Sequence, residues 1–115
     1  MAKRILEERL EEFCVRENMK MLTEGLRIVR DFVEEKGWEM VEPRGGIYVF
    51  MRLPRIDSAE FCMRLLEKEK VAVAPGVDFG PRWREWIRIT IARPSREIEE
   101  GLNRIYRLYK ERGGG

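Results

Sequence analysis

Histidine is missing altogether from this chain of 115 residues. Its absence removes the commonest general base and the commonest metal ligand, so histidine triads and histidine-held zinc are poor readings. Cysteine occurs only at Cys14 and Cys62, with no CxxC spacing. That arrangement implies neither a zinc site nor a disulfide framework, and both thiols read as small core residues in helical segments. No apolar run approaches the roughly 20 residues of a membrane span. The opening Met1-Ala2-Lys3-Arg4 leads into a charged helix, not a signal peptide, and a cytoplasmic location is expected. An excess of charge of one sign is lacking too, with 23 basic against 21 acidic residues. The net charge of +2 gives no general pull toward nucleic acid. Glutamine is absent, asparagine is confined to Asn18 and Asn103, and charged residues reach 38%, a composition that suits a thermophile. Hydrophobic residues at 43% exclude a disordered chain, and the length fits one domain.

What is present is strong periodicity. From about Ile5 to Lys36 apolar residues recur at helical spacing through Leu6, Leu10, Phe13, Val15, Met19, Leu22, Leu26, Val29 and Val33. No proline interrupts the run, and Gly37 is placed as its C-terminal stop. Such a helix is roughly 45–50 Å long, too long to lie wholly against a domain of about 13–14 Å radius of gyration. Its first half should project, bend back or dock elsewhere, unless a break near Asn18 makes two packed helices.

Trp38 to Val41 reads as a short strand, Pro43-Arg44-Gly45-Gly46 as a turn, and Ile47 to Leu53 as a central strand. Asp57 is placed to cap a helix reaching about Glu69, with Glu60 completing a capping-box-like pattern and Phe61, Cys62, Leu65 and Leu66 buried. Val71 to Ala74 forms a third strand, broken at Pro75-Gly76, and Trp86 to Ala92 a fourth. Ser95 is expected to cap a last helix burying Ile98, Leu102, Ile105 and Tyr109, with a frayed tail over 113–115. Met40, Met51 and Met63 are expected in the core. The order predicts an α+β fold: a small, mainly antiparallel sheet covered by helices, with a long N-terminal helix.

Among candidate chemical residues Arg88 stands out. In Trp86-Ile87-Arg88-Ile89-Thr90-Ile91-Ala92 the isoleucines share one face of a strand, which leaves Arg88 at the centre of the other. An arginine fork fits a carboxylate bidentately, and a solvent-facing surface arginine is the alternative the strand allows. Gly45-Gly46 precedes a strand instead of opening a helix, so neither phosphate-loop nor dinucleotide fingerprint fits. The run Arg82, Arg84, Arg88, Arg93, Arg96 with Trp83 and Trp86 is a weak nucleic-acid signal; ordinary surface arginines account for it. Asp57, Glu60 and Glu67 show no acid–base spacing.

Five segments in order resemble the class I/II aminotransferases, the PLP-dependent enzymes of the aspartate aminotransferase fold. Pro43 to Phe50 is similar to their glycine-aromatic strand, and Ser58-Ala59-Glu60-Phe61 with Leu65-Leu66-Glu67 to the helix after it. Val71-Ala72-Val73-Ala74-Pro75-Gly76 and Phe79-Gly80 resemble the family's apolar strand, Pro-Gly turn and Phe-Gly loop. Trp86 to Thr90 resembles the strand whose arginine binds the substrate α-carboxylate, and residues 95–110 the terminal helix.

The resemblance implies that residues 1–112 form the C-terminal small domain, with 1–36 as the helix linking small and large domains. It implies that Arg88 is the substrate-binding residue for an amino or keto acid. PLP belongs to the complete enzyme. No segment resembles its lysine motif, the aspartate at the pyridine nitrogen or the phosphate cradle, and none of Lys3, Lys20, Lys36, Lys68, Lys70 and Lys110 has a reason to be buried and activated. No catalytic residue, cofactor-binding residue or metal ligand is assigned, and transamination by this chain alone is not expected. The expected partner is a large-domain chain, or a second copy through the first helix; nucleic acid and membrane are not expected. The other readings are a non-catalytic oligomerising or interaction module, and a small amino-acid-binding regulatory domain.

Overall fold

The computed structural model describes the backbone of residues 2–42 and 47–112, with side chains from residue 19 onward. The turn expected at 43–46, the tail at 113–115 and the side chain of Cys14 lie outside the described residues.

Helix α1 (Ala2–Lys36) is continuous, so no break at Asn18 divides it. It ends because Gly37 adopts φ 71°. The Trp38 N–H donates to the Val33 carbonyl at 3.0 Å and the Gly37 N–H to that of Glu34 at 3.2 Å, which satisfies two of the four carbonyls in the last turn. At 1.5 Å per residue the helix is about 52 Å long. The molecule measures 58 × 27 × 26 Å, so α1 sets its long axis.

Four strands follow: β1 (Glu39–Val41), β2 (Tyr48–Arg52), β3 (Ala74–Pro75) and β4 (Trp86–Thr90). They pair antiparallel in the order β1-β2-β4-β3, which makes β2 central as its apolar run predicts. Register sets the two faces. Val49 lies opposite Ile89 and Met51 opposite Ile87, and all four are buried. Tyr48 opposite Thr90, and Phe50 opposite Arg88, form the outer face. The inner face packs on Val29 and Val33 of α1, on Phe61 of helix α2 (Ser58–Arg64), and on Ile98, Leu102 and Ile105 of helix α3 (Ser95–Glu111). The fold is α+β, with helices on one face of the sheet.

Four expectations are corrected. The helix after Asp57 begins as predicted, its carboxylate accepting from the Ala59 N–H at 3.1 Å and from that of Glu60 at 3.5 Å. It widens into a π turn over Leu65–Glu69, and Leu66 is 53% exposed. Leu66 lies a full helical step, about 80–100°, beyond buried Leu65 and so at the rim of the apolar face. Met63 is exposed as well, because it lies two residues, about 200° of helix, from buried Phe61. The third strand covers only Ala74 and Pro75: left-handed Lys70 (φ 58°) and the Val71 N–H bond to the Leu65 carbonyl draw residues 71–73 away from β4. Pro75 is tolerated because β3 is an edge. Ser95 does not cap α3. Pro94 holds that position, its carbonyl accepting from the N–H groups of Glu97 (2.9 Å) and Ile98 (3.2 Å).

One close approach went unread in the sequence. A Cβ on Gly25 would stand 2.7 Å from the Ile91 carbonyl oxygen and 2.8 Å from Ile98 Cδ1. Only glycine lets α1 settle against the end of β4 and α3 at this depth.

Candidate functional site

The outer face of the sheet carries Tyr48, Phe50 and Arg52 from β2 and Trp86, Arg88 and Thr90 from β4. Arg88 sits between Phe50 on one neighbouring strand and Ala74 on the other. The segment leaving β3 turns sharply over Gly76–Phe79. A side chain on Gly76 would collide with the carbonyl oxygens of Trp83 and Trp86, so the turn requires glycine there. Buried Ser58, at the start of α2, accepts the Val77 N–H at 3.2 Å and pins the same turn. Together these contacts bring Phe79 back over the sheet, edge-to-face with Phe50 at 5.3 Å.

The Arg88 guanidinium carbon lies 4.1 Å from the centre of the Tyr48 ring and 5.3 Å from that of Phe79. Its Nε is buried and has no hydrogen-bond partner among the described residues. A buried, unmatched N–H costs free energy on the order of 1–3 kcal/mol. Among the described residues no carboxylate lies within ion-pairing distance of Arg88.

Arg52, on the same face, is treated in the opposite way. It meets Glu39 at 3.1 Å and Glu85 at 2.9 Å. The Arg55 backbone N–H, at 2.5 Å, and the Arg52 fork hold the Glu85 carboxyl below its usual range. One arginine is neutralised by acids, whereas the other is held by aromatic faces and, among the described residues, leaves its buried Nε without an acceptor and pairs with no carboxylate. Such a fork can receive one oxyanion bidentately.

The other candidates dissolve into packing. Trp83 and Trp86 pack on each other at 5.1 Å, and Trp83 on Phe50 at 5.2 Å, so they do not interleave the arginines as stacking platforms. Arg93 faces Glu97 at 3.9 Å. Asp57 is a helix cap, and Glu60 pairs with Arg64 and Arg112. A groove of about 620 Å³ between residues 70–73 and α3 does not include Arg88. The described lysines do not fit a covalent PLP anchor. Lys20, Lys68, Lys70 and Lys110 are exposed, and the Lys36 ammonium rests 3.9 Å from the centre of the Tyr106 ring.

Sequence reasoning placed Arg88 on this face but gave Tyr48 and Phe79 no role. Strand alternation could have found Tyr48, since it shares a face with Phe50 and, through the antiparallel register, with Arg88. No sequence signal brings Phe79 there, because its position depends on the Gly76 turn and Ser58.

Comparison with known proteins gives one family. The model of aminotransferase class I and II matches residues 1–105. The chain is similar to a (5-formylfuran-3-yl)methyl phosphate transaminase of Methanocaldococcus jannaschii, 40% identical over 79 residues, covering 69% of this chain and 21% of that protein. It is similar to an aspartate aminotransferase of Pyrococcus abyssi, 31% identical over 101 residues, covering 86% of this chain and 26% of that protein. The crystal structure of an aromatic aminotransferase from Pyrococcus horikoshii superposes with a TM-score of 0.79 at 29% identity, over 97% of this chain and 30% of that one. The chain thus spans about a fifth to a quarter of the length of the curated relatives it matches.

Proposed function

Because this chain belongs to the class I and II aminotransferase family, we propose that residues 1–112 form the small domain of such an enzyme and that Arg88 clamps the α-carboxylate of its amino or keto acid substrate. The observation that carries this reading is the Arg88 guanidinium, held against aromatic rings with a buried, unmatched N–H and no acid beside it among the described residues. A bound carboxylate would supply the missing acceptors and the missing charge together. PLP, the family's cofactor, supplies the electron sink for amino-group transfer when bound. The lysines described here do not fit its anchor, so the cofactor site is assigned to the part of the relatives' length that this chain does not span. Within this chain the role is binding and orientation, which in amino-group transfer keeps the Cα end of the substrate in place.

In the same reading residues 1–36 are the interdomain helix, and the face of α1 that does not meet its own domain receives the large domain. A second copy of the chain is the alternative occupant. The length of α1 against the 27 and 26 Å of the other two dimensions favours some partner there.

Titration with pyruvate, followed on the arginine Nε–Hε signals of the full chain by NMR, tests the clamp. Pyruvate at millimolar concentration should move the Arg88 signal, and methyl pyruvate, which lacks the carboxylate, should not. Arg88→Gln should lose at least tenfold in affinity, the scale of one charge-assisted bidentate contact. Arg88→Lys should not restore it, because an ammonium offers no planar fork. Arg88→Gln binding pyruvate like the wild type would defeat the proposal.

A further inference from the structure

We infer that Tyr48 is a positioning residue for Arg88, its ring face holding the guanidinium in place while leaving the N–H fork free for a ligand; the inference rests on the carboxylate reading above. An arginine side chain is long and flexible, and fixing it costs up to about 2 kcal/mol of rotamer entropy. Elsewhere in this fold the fixing is done by acids: Arg52 by Glu39 and Glu85, and Arg104 by Glu100 at 3.0 Å. Acids accept the same hydrogens that a substrate carboxylate needs. An aromatic face attracts the cation through its quadrupole and accepts none of them in the plane of the fork. At 4.1 Å from the ring centre, Tyr48 holds Arg88 in this second way.

The strand geometry makes Tyr48 suited to the task. It is opposite Thr90, one diagonal step from Arg88, within reach of a long side chain. β2 is an interior strand of the sheet, and Tyr48 is paired within it to Thr90 of β4, which gives the ring a rigid base. Phe79 adds a second ring from the Gly76 turn. The Tyr48 hydroxyl makes no hydrogen bond to any described residue, and the residue is 40% exposed. A ring that size is left on the surface for its face and not for its burial. The role therefore needs an aromatic ring and not specifically tyrosine.

The test uses the full chain, pyruvate as probe and the arginine Nε–Hε signals as readout. In the wild type the Arg88 signal should lie upfield of the other arginines, because its N–H sits near a ring face. Tyr48→Phe should keep that shift and the wild-type affinity. Tyr48→Leu should return the signal toward the common arginine position and weaken pyruvate binding about tenfold, with urea stability and backbone spectrum little changed. Tyr48→Leu binding pyruvate as tightly as wild type would overturn the positioning role and leave the carboxylate clamp standing. Pyruvate moving no arginine signal in the wild type would overturn the clamp itself, and the inference with it. If Tyr48→Leu loses the native spectrum, Phe79→Leu serves instead. Its wild-type shift and affinity would then count against aromatic positioning, and a partial loss of both would support it.

Discussion

Burial decides the chemistry of Cys62 as much as it decides the use of Arg88. The Cys62 thiol is 7% exposed and packs in the main core cluster. Burial, with a smaller contribution from the Asp78 charge, pushes its pKa up to about 12. The unfolded chain ionises this thiol near its ordinary value, so the stabilising effect is full below that value and is lost as pH rises from there toward 12. Urea midpoints measured from pH 8 to 10.5 should therefore fall more steeply for the wild type than for Cys62→Ala. Iodoacetamide at pH 8, with peptide mapping, should label Cys62 only as the chain unfolds. At this scale the sequence was informative wherever a residue acts through its own strand or helix. Arg88 and Cys62 could be assigned faces from periodicity alone. Gly25 and Phe79 could not, since each matters through a contact with a distant element, which no local spacing encodes.

Elements are joined by a few polar contacts, and Glu85 is the densest of them. It accepts from both nitrogens of the Arg52 fork that face it, at 3.1 and 2.9 Å, and from the Arg55 backbone N–H at 2.5 Å. Its own carbonyl accepts the Leu53 N–H at 2.9 Å. Arg55 has φ 65°, so this residue fixes a left-handed turn as well as a strand end. The Arg55 N–H, followed by Arg52, holds the Glu85 carboxyl below its usual range. The contribution is therefore full above the ordinary carboxylate pKa and disappears as pH falls through the lowered one. Glu85→Gln should be less stable than wild type at pH 7. The gap in urea midpoint should close as pH is brought from 5 to 3; a gap independent of pH would contradict the assignment. Every helix and strand of the fold was legible in outline, because apolar periods and turn residues are local. The π turn, the two-residue β3 and the Pro94 cap were not, since each turns on a particular backbone bond that no side-chain pattern marks: the Leu65 carbonyl takes the Val71 N–H, β4 pairs only Ala74 and Pro75, and the Pro94 carbonyl takes the N–H groups of Glu97 and Ile98.

As a whole the molecule is extended along one direction. Its radius of gyration is 16.3 Å, against about 13 Å for a compact domain of this length. Small-angle scattering on the chain alone should return a value near the larger figure, and a value near the smaller would mean that α1 folds back in solution. Adding a large-domain chain of the family should form a stoichiometric complex by sedimentation. Association of the chain with itself across the micromolar range would instead favour the second-copy occupant of α1.

The depth at which α1 settles on Gly25 has a mechanical consequence. That contact divides the helix unequally: about 35 Å lies before it and about 16 Å after it at 1.5 Å per residue. The short arm ends at Gly37 and runs directly into β1, the edge strand whose Glu39 holds Arg52. A tilt of about 5° displaces the far end of the long arm by roughly 3 Å and the β1 end by less than half of that, from the same rise per residue. Such a tilt would have to drag buried Val29 and Val33 through the core, so packing on the short arm clamps the sheet edge two strands from Arg88 in place.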